Sequence, residues 1–252
     1  MTDTDKRIAL VIGGMKGIGR AIAYTLTEEG YHVIATSRDA ANEDGLPYVT
    51  EKLDLTDKSS VDAFVNKLTA EIPYLNVLVN NAGIAGPTAP IDKITDEEWD
   101  SVFSVNVRGT FWMSRRLLPL LEKAKGARRI INIASMTGKR PFYQRVPYAA
   151  SKMAVIGMTR SMALELGAKN ITVNVISPGY VGGERIERVI EGQAKASGVG
   201  IEQVTDTFLS QSPLRRLVSP ESIARMVAYL SSDCAQDITG CDFGVTAGVW
   251  MD

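Results

Sequence analysis

The chain carries one histidine, His32, and two cysteines, Cys234 and Cys241, in 252 residues. A lone histidine leaves no multi-histidine metal site and argues against a Ser-His-Asp hydrolase, so no metal is expected. A GxSxG elbow is missing too. The cysteines lack CxxC spacing and read as free packing thiols of a reducing compartment. Excess charge of either sign is absent: 28 Lys and Arg stand against 29 Asp and Glu. Nothing electrostatic therefore favours nucleic acid or an anionic membrane as partner. No apolar run approaches ~20 residues, and the start MTDTDKR has no signal-peptide pattern. A cytoplasmic protein is expected. His32 opens the run YHVIAT and reads as a strand residue without a catalytic role.

What is present is an alternation of short apolar runs and amphipathic stretches. Residues 7–13 read as a buried strand, followed by a glycine-rich turn and a helix ending at Gly30. Further strands are expected over 31–36, 48–53, 75–79, 129–134, 171–177 and 241–245, with a polar loop over 42–47. Thr56 is placed to cap a helix reaching residue 72. Thr95 and Glu98 form a capping box opening a helical region to residue 123. Residues 148–168 read as a helix, and Ser219-Pro220 opens another that ends near residue 231. The β-α order predicts a Rossmann-type doubly wound parallel sheet of about seven strands, helices on both faces, in a single domain over 1–252. Residues 180–216 form a polar excursion with room for one or two helices.

Two stretches carry chemistry. Residues 135–152 offer a hydroxyl at Ser135, a phenol at Tyr148 and an ammonium at Lys152. Tyr148 and Lys152 are four apart, on one helix face about one turn from each other. An ammonium there favours the phenolate, giving a phenol able to exchange a proton near neutrality. Spacing alone is weak, because Tyr48 and Lys52 repeat it in a stretch read as a strand edge. The second stretch is Gly13, Gly17, Ile18 and Gly19, a GxxxGxG turn between the first strand and helix. Its glycines permit a tight bend and close backbone approach, and the helix N-terminus attracts a pyrophosphate.

These features recur in order with Asp54-Leu55, Asn80-Asn81-Ala82-Gly83, Asn106, Tyr148-Ala-Ala-Ser-Lys152 and Pro178-Gly179. Together they resemble the short-chain dehydrogenase/reductase family over essentially the whole chain. The resemblance implies hydride transfer between a nicotinamide dinucleotide and a carbonyl or secondary alcohol. It makes Tyr148 the proton donor, Ser135 the partner of the reacting oxygen and Lys152 the holder of the nicotinamide ribose. Asn106 would bend its helix and hold a water serving Lys152. Asp54 and Leu55 would flank the adenine, and Asn81, Ala82 and Gly83 its ribose side. Pro178, Gly179 and Val181 would line the cofactor as well. Two positions depart from the family pattern: Ile12 and Gly183 stand where threonine is usual.

Cofactor choice is read at the end of the second strand, where an NAD enzyme carries an acidic residue for the ribose hydroxyl. Ser37 stands there, with Arg38 next and Lys16 near the same pocket. A hydroxyl and two cations suit a 2′-phosphate, so NADP(H) is expected over NAD(H). By resemblance the substrate is a small carbonyl compound such as a 3-oxoacyl thioester. A sugar or polyol dehydrogenase using NAD is the alternative, and a non-catalytic dinucleotide sensor the rival from another class. Lys139, Arg140, Phe142, Tyr143 and Arg145 mark the substrate mouth, and the excursion over 180–216 is a candidate lid. Lys125, Arg128, Arg129 and Lys169 offer a basic cluster for an acyl-carrier protein, interrupted by Gly126. A homotetramer or homodimer is expected through the helices carrying Asn106 and Tyr148 and the tail VTAGVWM.

Overall fold

The computed structural model describes residues 6–39 and 45–251, so positions 42–44 of the expected polar loop lie outside the described residues. Seven strands form one parallel sheet: β1 (Ile8–Ile12), β2 (His32–Ser37), β3 (Val49–Lys52), β4 (Val77–Asn80), β5 (Arg129–Ile133), β6 (Thr172–Pro178) and β7 (Asp242–Val245). Their spatial order is β3-β2-β1-β4-β5-β6-β7. β1 pairs with both β2 and β4, so the winding reverses there and a crevice opens beyond the strand ends.

The strands of the sheet centre are buried on both faces, as crossover helices require. Along β1, Ile8, Leu10 and Ile12 enter one core while Ala9 and Val11 enter the other. The first core is covered by α2 (Lys58–Glu71), α4 (Thr110–Lys123) and α5 (Val146–Leu166), through Phe64, Leu68, Leu117, Leu121 and Leu166. The second is covered by α1 (Gly17–Glu28) and α8 (Pro220–Ser231), through Ile22, Leu26, Ile223, Val227 and Leu230.

The capping box is present: Thr95 Oγ1 accepts from Glu98 N, and Glu98 accepts from Thr95 N. It opens α3 (Asp96–Phe103), which runs through a π-helical stretch, Ser104–Gly109, into α4. Ser219 caps α8. The cap of α2 is Asp57 rather than Thr56; its carboxylate accepts from Ser59 N, while Thr56 turns back to Asp54. The excursion holds two helices, α6 (Glu184–Ser197) and α7 (Ile201–Ser210). Both cysteines are free, but they are exposed rather than packed inside. Among the described residues no helix is long and apolar enough to cross a membrane.

Candidate active site

The glycine-rich turn is built from backbone touching backbone. Gly13 has φ +76°, and a Cβ there would come within 2.9 Å of Ala82 Cα. A Cβ on Gly19 would overlap the carbonyl oxygen of Gly13. Gly17, at φ +52°, faces open space instead, which leaves room at the N-terminus of α1 for a phosphate to approach. The turn thus fits a dinucleotide. Ile12 offers no hydroxyl, and other residues tie the turn down. Asn81 Nδ2 donates to Gly13 O at 2.8 Å, and Gly13 N donates to Thr36 Oγ1 at 3.3 Å. Thr36 is a member of the turn that sequence reasoning missed, because a threonine inside a strand carries no distinguishing signal.

At the rim of this turn, Lys16 and Arg38 are exposed and Ser37 is half-buried. Asp54 lies close enough for the Arg38 charge to act on it. Its carboxyl is held below the usual range by the Thr56 hydroxyl and amide, with Arg38 assisting. Leu55 is buried against Gly109, where a Cβ would come within 2.8 Å of Leu55 Cδ1.

The second half of the site gathers on α5 and its neighbours. Pro147 sits in the first turn of α5, where its missing N–H costs nothing. One turn on, Lys152 is buried, with Nζ donating to Ile133 O at 2.9 Å and lying 5.8 Å from the Tyr148 ring centroid. Burial pushes the Lys152 ammonium below its ordinary range; Tyr148 opposes this and Arg185 adds to it. Tyr148 itself is half-buried. The Tyr48–Lys52 pair shares none of this, since the Tyr48 ring packs edge-on against Tyr24 and Lys52 is exposed.

Asn106 is in the π-helical stretch, and its side chain does not bond to its own helix. Oδ1 accepts from Ile84 N at 2.8 Å, while Nδ2 donates to Ile84 O and to Ser151 Oγ, each at 3.0 Å. Asn106 therefore clamps the loop after β4 to the residue preceding Lys152. Gly83 lies inside this clamp: a Cβ there would be 3.2 Å from both Asn106 Oδ1 and Lys152 Nζ. Ser151 is a further member that spacing rules do not single out. Ser135 Oγ accepts from Thr137 N and donates to Thr137 Oγ1, both at 3.1 Å, so it caps the short turn that follows. Pro178 and Gly179 end β6, where a Gly179 Cβ would come within 2.7 Å of Thr246 Cα, and half-buried Val181 bridges to Val218. Gly183 has φ +120° and ψ 179°, a conformation essentially closed to threonine.

Several expected surface cations are committed elsewhere. Lys139 pairs with Asp242 at 2.8 Å and lies 4.1 Å from the Trp250 ring centroid. Arg140 Nη1 donates to Val249 O at 2.7 Å. Both tie the loop to the C-terminal segment instead of facing a ligand, leaving Arg145 of the three. Arg129 is 3% exposed, so the expected carrier-protein cluster loses a member. Lys169 pairs with Glu122, and Arg128 donates to the carbonyls of Ala124 and Lys169.

A doubly wound sheet with this turn at its reversal and the Tyr148–Lys152 helix at the same edge defines a dinucleotide-binding oxidoreductase. More narrowly, the chain belongs to the short-chain dehydrogenase/reductase family, whose "short chain dehydrogenase" model matches residues 7–193. A Streptomyces virginiae protein, named as a ketoacyl reductase of the monensin polyketide synthase, is 38% identical over 99% of both chains. The 3-oxoacyl-[acyl-carrier-protein] reductase of Escherichia coli is 34% identical, covering 97% of this chain and 98% of its own. The ligand-free aldohexose dehydrogenase of Thermoplasma acidophilum superposes with a TM-score of 0.89 at 27% identity, covering 98% of this chain and 95% of that one.

Proposed function

We propose that this chain is an NADP(H)-dependent ketone reductase acting on a 3-oxoacyl thioester or a related carbonyl compound. The observation that carries the reading is the buried Lys152, fixed by Ile133 O and one helical turn from Tyr148. A buried ammonium with a single carbonyl acceptor is costly to keep unless it has work to do. The nicotinamide, when bound, supplies or accepts the hydride. Tyr148 gives the proton to the carbonyl oxygen, and the Lys152 charge stabilises its phenolate afterwards. Ser135 turns its hydroxyl from Thr137 toward that oxygen and stabilises its developing charge. Asn106 keeps Lys152 and Gly83 in register, and α6 with α7 closes over the substrate.

Tyr148→Phe tests the assignment: kcat should fall by about 10²–10⁴-fold with NADPH affinity retained. Turnover near wild type would remove Tyr148 from its role. Preference for NADPH rests on Lys16, Ser37 and Arg38 in place of a carboxylate, and steady-state rates with NADH at equal concentration check it. The relatives named as ketoacyl reductases favour an oxoacyl substrate. The aldohexose dehydrogenase favours the second reading, sugar oxidation, and glucose with NAD⁺ belongs in the same panel. Assembly through α4 and α5 is supported by exposed Phe111, Met153 and Leu164, and light scattering at a monomer mass would refute it.

A further inference from the structure

Arg145 is the last residue before α5, and its guanidinium carbon sits 5.2 Å from the centroid of the Tyr148 ring. Its Nη1 donates to Thr88 Oγ1 at 2.7 Å and to Pro87 O at 3.5 Å, so the side chain is moored to the loop after β4. Nε and Nη2 make no hydrogen bond among the described residues, and burial lowers the pKa of the group from its ordinary value. Arg185, in the first turn of α6, reaches back across the site and donates from Nη2 to Gly83 O at 3.0 Å. Its charge acts unfavourably on both Arg145 and Lys152. Among the described residues none of Arg145, Lys152 and Arg185 forms an ion pair with a carboxylate; their partners are hydroxyl and carbonyl oxygens. Arg145 and Lys152 thus flank the Tyr148 ring with Arg185 acting on both, and the hydrogen bonds that hold the three cations go to neutral oxygens.

Such an arrangement is unfavourable until an anion joins it, and a guanidinium fork with free N–H groups is shaped for a carboxylate. The ionic partners of Lys139 and the carbonyl partner of Arg140 keep the other two mouth cations out of this role. We propose that Arg145 and Arg185 bind a carboxylate of the substrate, so that the ketone reduced at Tyr148 belongs to a short oxo acid. The carboxylate lies a few bonds from the reacting carbon. The inference rests on the ketone-reductase reading above and, among the carbonyl compounds named there, favours a free oxo acid over a thioester.

The test uses matched pairs, levulinate with methyl levulinate and acetoacetate with methyl acetoacetate, under NADPH. In the wild-type protein the acid should exceed its ester in kcat/KM by about tenfold or more. Arg145→Met and Arg185→Met should each lower the acid-to-ester ratio by about tenfold, mainly through KM, and Arg145→Lys should restore part of it. An ester preferred by the wild type, or a ratio untouched by both substitutions, overturns the proposal while leaving the reductase reading in place. Acid and ester losing equally with a shifted pH profile would make Arg145 a tuner of Tyr148, which also overturns it. A weakened Kd for NADPH with an unchanged ratio would assign the arginines to the cofactor diphosphate, again overturning it. If no carbonyl compound is turned over, the reductase reading fails. The inference is then judged by calorimetry of levulinate with the NADP⁺-loaded protein, where binding lost in Arg145→Met supports it and no binding to wild type sinks it.

Discussion

The two sides of the crevice are built differently. On the β1–β4 side three glycines are crowded: Gly13 against Ala82, Gly19 against Gly13 O, and Gly14 against Val11 O and the Ala35 side chain. On the α6–α7 side, Gly192, Gly198 and Gly200 have nothing within 4 Å of a built Cβ. The first side admits glycine alone at Gly13, Gly14 and Gly19, and the turn is tied to its neighbours, Gly13 N–H donating to Thr36 Oγ1 and Gly13 O accepting from Asn81 Nδ2. The second is held by side chains, such as Tyr180 Oη donating to Gln211 Oε1 and the Tyr180 ring stacking on Phe142 and meeting Phe208 edge-on. A phosphate needs a fixed cradle of amides. A lid must change its contacts to admit a substrate, so it is made from contacts that can change.

The largest effect should come from breaking the crowded side. Gly19→Ala drives a methyl group into the Gly13 carbonyl, and neither backbone can retreat without losing the Asn81 tie. Destabilisation of about 3 kcal/mol or more is expected, with NADPH binding lost. Thermal unfolding and cofactor titration measure both. Wild-type stability in the Gly19→Ala variant would mean that the turn yields, and the contrast between the two sides would go with it.

The same contrast governs how much the sequence reveals. Gly13, Gly17 and Gly19, the alternation of strands and helices and the Thr95–Glu98 box are legible because backbone geometry and periodicity dictate residue type there. Gly183 reads as a departure, and only its φ of +120° gives the reason for glycine at that position. The destinations of Lys139, Arg140 and Arg129 are not legible: a charged residue in a loop or strand has no local mark of its partner, here Asp242, Val249 and Ser232. Asn106 reads as a residue that would bend its helix and hold a water, yet its side-chain partners are Ile84 and Ser151, distant in sequence. Arg185 sits in an ordinary charged helix face, and only the fold carries it to Gly83.

Lys152 stands between the two sides, and its ionisation gives an intermediate effect. Burial and the Arg185 field lower its folded-state pKa, with Tyr148 acting the other way. Between that lowered value and the ordinary lysine value, the unfolded chain binds a proton that the folded chain lacks. Stability from this group therefore rises with pH through that window, and below it the fold carries a buried ammonium at a cost. Lys152→Met removes the cost. The cofactor-free variant should be about 1–2 kcal/mol more stable than wild type near neutrality. Its advantage should shrink as pH approaches ~10. Urea unfolding of both proteins across that range decides the matter; a constant difference would mean that Lys152 binds its proton equally in the folded and unfolded chains, with no lowered pKa.

The smallest effect belongs to the open side. Gly192 lies inside α6 with a built Cβ meeting nothing, and its φ is not positive. Alanine there keeps the helical conformation and lowers the entropy of the unfolded chain, so a gain of about 0.5–1 kcal/mol is expected in any unfolding unit that includes α6. If α6 opens as part of a lid, the gain appears in local hydrogen exchange along residues 184–197 while the global midpoint moves little. Slower exchange should then come with slower product release, because the same helix must loosen to let a ligand out. A shift in the global midpoint as large as the local one would instead bind α6 to the core. The open side would then be as rigid as the crowded one.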